Sequence, residues 1–201
     1  MWDDGKRLLW SHVKEFFYDD YNNGVHFLTK ITYDHIHLTS YSKMNVKLAA
    51  QVLSDTMTKL LSQYGPKEAV AIAKLCGIMD SFFDIVNIRN TEEHIHKRKP
   101  NLMSISSPND IRLSWLTGDF LKYFSDWKSS INSRPEKLTA HDKERMFISR
   151  QTYECLKVTA HSIVECVRYL LCNGICDYVL TEKFCQDPLE NYFGRQRAIG
   201  Y

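Results

Sequence analysis

Asp187 and Glu190 stand three positions apart in Gln186-Asp187-Pro188-Leu189-Glu190, and two readings follow from that spacing. Residues three apart share one face of a helix, so both carboxylates are presented together. Taken as local structure, the string is a helix start: Asp187 serves as N-cap, Pro188 as first helical residue, and Glu190 reaches back to the N-cap amide in a capping box. The other reading is catalytic. The remaining polar groups are less suggestive. His35 and His37, like His94 and His96, alternate by two, without the i, i+4 geometry of a helical zinc pair and without a matched Cys pair. Cys172 and Cys176 are separated by three residues after an apolar helix, and read as buried thiols. No nucleophile-His-acid arrangement and no Gly-rich phosphate loop of the Walker type is present.

These groups need elements to position them, and the composition supplies the material. A chain of 201 residues with 44% apolar and 12% aromatic residues can bury one substantial core. The net charge of +2 gives no whole-molecule attraction to nucleic acid, so any such case rests on His94-Ile95-His96-Lys97-Arg98-Lys99 and Arg195-Gln196-Arg197. Both also fit solvated surface. The opening Met1-Trp2-Asp3-Asp4-Gly5-Lys6 has no apolar signal core, and no later run is long enough to span a bilayer, so an intracellular protein with its six Cys as free thiols is expected.

Helical periodicity dominates. Leu9, Val13, Phe16 and Phe17 mark a helix over 7–20 that ends near Asn22-Asn23-Gly24. Val46, Ala50, Leu53, Met57, Leu60, Leu61 and Tyr64 keep helical spacing from about residue 43 to the stop and restart at Gly65-Pro66. Ile72, Leu75, Cys76, Met79, Phe82, Phe83 and Val86 predict the next helix. Residues 91–107 read as a mobile polar loop, and Ser107-Pro108-Asn109-Asp110 as a helix start with Ser107 as cap. A helix through Leu113 to Ile131 follows, then a linker at Ser133-Arg134-Pro135. A long helix from Tyr153 to Leu171 is closed by Asn173-Gly174, and Ile175 to Leu180 is either a short strand or another helical turn. The fold class expected is mainly α, with five or six substantial helices.

The wider string Lys183-Phe184-Cys185-Gln186-Asp187-Pro188-Leu189-Glu190-Asn191-Tyr192-Phe193-Gly194-Arg195-Gln196-Arg197 resembles the segment that supplies the last acidic residue of P element-type DNA transposases, including their THAP-domain-bearing relatives. That resemblance implies an RNase H-like core carrying a large helical insertion, and a reaction of DNA strand cleavage and joining. It implies Glu190 as the final catalytic and metal-binding carboxylate, with Asp187 beside it. Two Mg²⁺ ions would activate the attacking hydroxyl and stabilise the leaving oxygen, which takes further carboxylates from upstream strands. Asp3 and Asp4 are not those partners, because Asp4-Gly5-Lys6, Trp10-Ser11-His12-Val13 and Phe16-Phe17-Tyr18 resemble the stretch just after the family's second catalytic aspartate. The expectation is a transposase-derived chain that does not cleave DNA alone.

Lys43-Met44-Asn45-Val46-Lys47-Leu48-Ala49-Ala50-Gln51-Val52-Leu53-Ser54 and Phe82-Phe83-Asp84-Ile85-Val86-Asn87-Ile88-Arg89-Asn90 resemble the family's helical insertion, in the family's order. In that family the insertion binds GTP, which organises the complex with DNA and supplies no chemical energy. The resemblance places Asp84 at the guanine edge, Phe83 against the ring, Asn87 nearby and Lys47 towards phosphate. The chemistry agrees: a carboxylate has two acceptors matched to the paired N–H donors of guanine, and Asp84 and Asn87 share a helix face. Phe83 also fits the apolar periodicity of its own helix as a core residue. The division expected is a helical GTP-binding-like insertion over 1–170 and a fragment of an RNase H-like core over 171–201, with DNA, GTP and a second copy of the chain as partners and a nuclear location. The alternative is a non-catalytic helical module that binds protein or DNA.

Overall fold

Short caps divide the chain into helices. The computed structural model describes residues 8–24, 27–28, 30–134 and 139–199, except for the side chains of Met44, Asp187, Pro188 and Asn191. In chain order the helices are α1 (Trp10–Asn22), α2 (Tyr33–Ile36), α3 (Val46–Val52), α4 (Asp55–Tyr64), α5 (Val70–Val86), α6 (Glu93–Lys97), α7 (Ile111–Trp115), α8 (Leu121–Asn132), α9 (Ala140–Arg145), α10 (Arg150–Cys172) and α11 (Asp187–Ile199). Among the described residues there is no β-strand, and the one extended pairing is an isolated antiparallel bridge between Ile105 and Val179. The fold is mainly α, as the periodicity predicts.

The chain forms two compact units, one of residues 1–83 and 118–156, the other of residues 84–117 and 157–201. In the first, Val13, Phe16 and Phe17 of α1 join Val52, Met57, Leu61, Ile72 and Cys76 in a single buried cluster. Aromatic rings extend the burial: Phe82 stacks on Phe120 at 4.5 Å between centroids, and Trp127, Phe147 and Tyr153 continue edge to face beyond Phe124. Each such ring contributes area burial plus about 0.5–1.5 kcal/mol from its geometry. Burial pushes the Cys76 thiol up to about 12, so it stays protonated and unreactive. The second unit buries Ile85, Ile88, Leu102, Ile105, Leu113, Leu116, Ile163, Val164, Val167 and Val179.

Several expected boundaries move, each for a local reason. The helix expected over 43–64 is broken after Val52, because Ser54 accepts from the Met57 amide at 3.3 Å and donates to the Gln51 carbonyl at 2.9 Å. A serine hydroxyl that satisfies both sides of the break competes with helix continuation. Gly65 ends α4 as expected, and only glycine fits, since a Cβ there would lie 2.5 Å from the Leu61 carbonyl oxygen. Gly174 closes α10 for a different reason, its left-handed φ of 62°, which suits glycine. At the expected start near Ser107 the cap is Asp110, whose carboxylate accepts from the Arg112 amide at 2.9 Å, and the helix begins at Ile111.

The segment 91–107, expected as a mobile loop, is instead built and packed. Asn90 accepts from the amides of Glu92 and Glu93, and α6 follows. Leu102 and Ile105 are buried. Arg112 holds the 101–104 stretch: buried itself, it donates through Nη1 to the carbonyls of Asn101 and Met103, through Nη2 to that of Ser104, and through Nε and Nη2 to Asp110 at 3.0 and 2.7 Å. Sequence pattern does not show such long-range satisfaction. The thiols also differ from expectation: Cys155, Cys166 and Cys172 are exposed, because α10 buries only its Ala160, Ile163, Val164 and Val167 face.

Arg112→Met is expected to destabilise the fold by about 3 kcal/mol, as removal of one partner from a buried ion pair does, measured by urea unfolding. Hydrogen bonds from Arg112 hold the Asp110 carboxyl below the usual carboxylate range. A depressed folded value gives stabilisation that is present above the unfolded value of about 4 and lost as pH falls through the folded one. Wild type therefore loses this increment on acidification, and Arg112→Met shows a flatter acid limb.

Candidate functional site

The end of α5 carries most of the residues in question, and burial sets their directions. Phe82, Ile85 and Ile88 are buried, while Phe83, Asp84 and Asn87 are half-buried on the remaining arc. The helix stops without glycine. Its terminal carbonyls and amides find partners elsewhere: the Thr181 hydroxyl, fully buried, donates to the Ile85 carbonyl at 2.6 Å and accepts from the Ile88 amide at 3.1 Å. The Glu182 amide donates to the Ile88 carbonyl at 3.2 Å, and Arg89 pairs with the Glu182 carboxylate at 3.1 Å. Orphan groups at a helix end must be satisfied somewhere, and here a residue 96 positions away does it.

Asp84 and Asn87 lie three positions apart at a pinned helix end, with the Asn87 backbone N–H 3.4 Å from the Asp84 backbone carbonyl. Lys99 joins them. Its ammonium lies 3.1 Å from Asp84 Oδ1 and 2.9 Å from Oδ2, with side-chain exposures of 31% for Lys99 and 15% for Asp84. Arg98 makes this approach feasible by closing α6 in the left-handed region at φ 53°, where its amide reaches the Ile95 carbonyl and that of Lys99 the His94 carbonyl. The basic run 94–99 is thus partly neutralised, since Lys97 also pairs with Glu93. The Asp84 side chain chemically suits paired N–H donors, and the Asn87 amide can both donate and accept.

The other residues fall differently. Phe83 packs edge-on to Phe82, at 5.9 Å between centroids. Lys47 is exposed on the first turn of α3 in the first unit, its backbone amide bound by the Asn45 side chain at 3.1 Å. Asp84 and Asn87 belong to the second unit. Glu190 is exposed on α11, its amide donating to the Gln186 carbonyl at 3.0 Å. The helix begins with Asp187 already inside it, one residue ahead of the cap position expected, and the Asp187 side chain lies outside the described residues, as do Asp3 and Asp4. Among the described residues no group of three or more His, Cys, Asp or Glu could hold a metal ion. His35, buried, is bonded through Nδ1 to Thr32 and through Nε2 to Gln51, which accounts for it structurally.

Lys99 and Thr181 were not among the residues expected at this site. The signal for Lys99 was its place in the basic run; Thr181 had none, because its role depends on the far end of the chain.

Residues 1–99 match the family model described as TNP-like, GTP-binding insertion domain. The chain is 25% identical over 203 residues to the Transposable element P transposase of Drosophila melanogaster, covering 98% of this chain and 24% of that protein. It thus spans about a quarter of that relative's length. The solved Drosophila P element transposase strand transfer complex matches with a TM-score of 0.71 and 24% identity, over 96% of this chain and 40% of that one, a likeness of fold.

Thr181→Val removes both buried hydrogen bonds at the end of α5 while keeping the side-chain shape. It is expected to cost about 2 kcal/mol in unfolding free energy and to speed amide exchange at Ile88 selectively. A global, uniform loss of protection would show that Thr181 does not act on that helix end.

Proposed function

We propose that this chain, which belongs to the P element-type transposase family, binds a guanine nucleotide at the end of α5 as part of a DNA strand-transfer machinery. The observation that carries the reading is the presentation of Asp84 and Asn87 on one pinned helix end, inside the stretch matching a GTP-binding insertion domain. Asp84 accepts from the paired N–H groups of the guanine edge and Asn87 supplies a neighbouring amide, while Phe83 against the ring and Lys47 towards phosphate rest on the family resemblance alone. Nucleotide hydrolysis is no part of this reading. A carboxylate recognises the base, and the bound nucleotide orders the assembly. Division at residue 170 into insertion and nuclease-core segment, Glu190 and Asp187 as the core's carboxylates, and action in the nucleus belong to the same reading.

The second reading, a non-catalytic interaction module, is favoured by α11, where Leu189, Tyr192, Phe193 and Ile199 are all at least half exposed beside Arg195 and Arg197. Apolar surface of that kind, rimmed by charge, marks contact with a partner.

Titration of GTP into the purified chain by calorimetry is expected to give saturable binding that Asp84→Ala weakens at least tenfold, about 1.4 kcal/mol. Asp84→Asn turns one acceptor into a donor, and is expected to shift preference from guanosine to xanthosine triphosphate, whose C2 oxygen accepts. No heat at high protein concentration, for either nucleotide, retires the reading. The interaction module instead binds duplex DNA with affinity that falls linearly in log salt and is indifferent to GTP.

A further inference from the structure

We propose that the first unit holds a small-molecule site of its own: the cavity where α8, α9 and the start of α10 meet takes an aryl anion, its ring on an apolar floor and its acidic head among the cations of the rim. All the lining residues fall within 128–153, inside the unit of residues 1–83 and 118–156. Asp84 belongs to the other unit, so the inference stands apart from the guanine reading.

The cavity has a volume of about 440 Å³, which is the size of a pocket for a small organic ligand. Its floor is apolar, with Ile131 buried and Phe147, Ile148 and Tyr153 half-buried. Phe147 meets Trp127 edge to face at 5.0 Å and Tyr153 at 5.2 Å between centroids, so this wall is fixed by its neighbours before a ligand arrives. A pre-organised aromatic wall suits a flat ring, which gains area burial and ring contacts at little ordering cost.

Charge decides the head group. Each of the three helices sends one cation to the lining: Lys128 from α8, Lys143 from α9 and Arg150 from α10. Lys128 lies over the Tyr153 ring at 5.5 Å. Among the described residues none of these three pairs with a carboxylate, whereas Lys59, Lys97 and Lys122 each have an acid on the same helix. Glu144 is the one acid among the described lining residues, which leaves three cations against one carboxylate. The Ser149 hydroxyl is already committed, since it accepts from the Thr152 amide at 3.1 Å and caps α10. A carboxylate or sulfonate therefore finds its charge-assisted hydrogen bonds at the lysines and the arginine. An anion with no apolar body leaves the floor uncovered, and an uncharged aryl group leaves the cations unanswered. The lining selects a ligand that has both parts.

Calorimetry on the full chain tests this with naphthoate as the probe, and with naphthamide, inorganic phosphate and GTP as comparison ligands. Naphthoate is expected to bind saturably with a Kd below about 1 mM. Naphthamide and phosphate bind at least tenfold more weakly. Lys143→Met and Arg150→Gln each weaken naphthoate about threefold, and Glu144→Gln tightens it about twofold, as partly exposed charges do. Asp84→Ala leaves naphthoate binding unchanged. Equal affinity for naphthoate and naphthamide, or charge variants without effect, reveals an apolar surface only and overturns the proposal. Phosphate as tight as naphthoate shows a bare anion contact, displacement of naphthoate by GTP shows a nucleotide site, and absence of heat shows no site; each of these overturns it as well.

Discussion

Burial of α5 is the constraint from which the rest of this structure follows. The helix puts Ala71, Ile72, Ala73, Cys76, Phe82 and Ile85 out of water, so apolar surface has to be brought against most of its circumference. In the first unit α1 and α4 contribute Val13, Phe16, Phe17, Met57 and Leu61 to the cluster that includes Ile72 and Cys76. Small residues permit the close approach: Gly77 of α5 leaves room for Thr58 of α4, where a Cβ would stand at 3.3 Å. Further along, Phe82 takes the face of Phe120 and Ile85 the interior of the second unit. The polar residues of α5 are those left on the narrow uncovered arc. Asp84 is among them, half-buried, because Phe82 and Ile85 take the buried face.

A buried helix must also end somewhere, and its last carbonyls cannot simply be left dry. Glycine closes α4 and α10, where the chain turns back locally. At the end of α5 a distant threonine does the same task. Glycine caps close a helix with bonds from the next few residues, whereas Thr181 and the Glu182 amide hold the end of α5 from a distant part of the chain. Groups on a fixed end keep one orientation, and pre-organisation of that kind lowers the entropic cost of capturing a ligand. Arg112 performs a parallel service for the 101–104 stretch that follows Lys99. Two buried polar side chains thus determine where Asp84 and Lys99 can meet.

The transposase resemblance and the geometry bear on different parts of the chain. For Asp84, structure adds a partner that the motif did not contain, the Lys99 ammonium. For Glu190 it adds only an exposed position on α11, whose apolar residues Leu189, Tyr192 and Phe193 are uncovered too.

Periodicity of apolar residues was enough to determine that the chain is mainly helical, and Gly65-Pro66 and Asn173-Gly174 to place two of the stops, because those signals are properties of neighbouring residues. The common face of Asp84 and Asn87 was also legible, since they stand three positions apart along a helix. What the tertiary structure alone decided is everything that required a residue to find a distant partner: the ordering of 91–107 by Arg112 and a bridge to Val179, the sealing of α5 by Thr181, the closure of Lys99 on Asp84, and the exposure of three thiols on α10. Polar groups in a low-dielectric interior must be satisfied by whatever the fold brings near, and local sequence spacing carries no record of that choice.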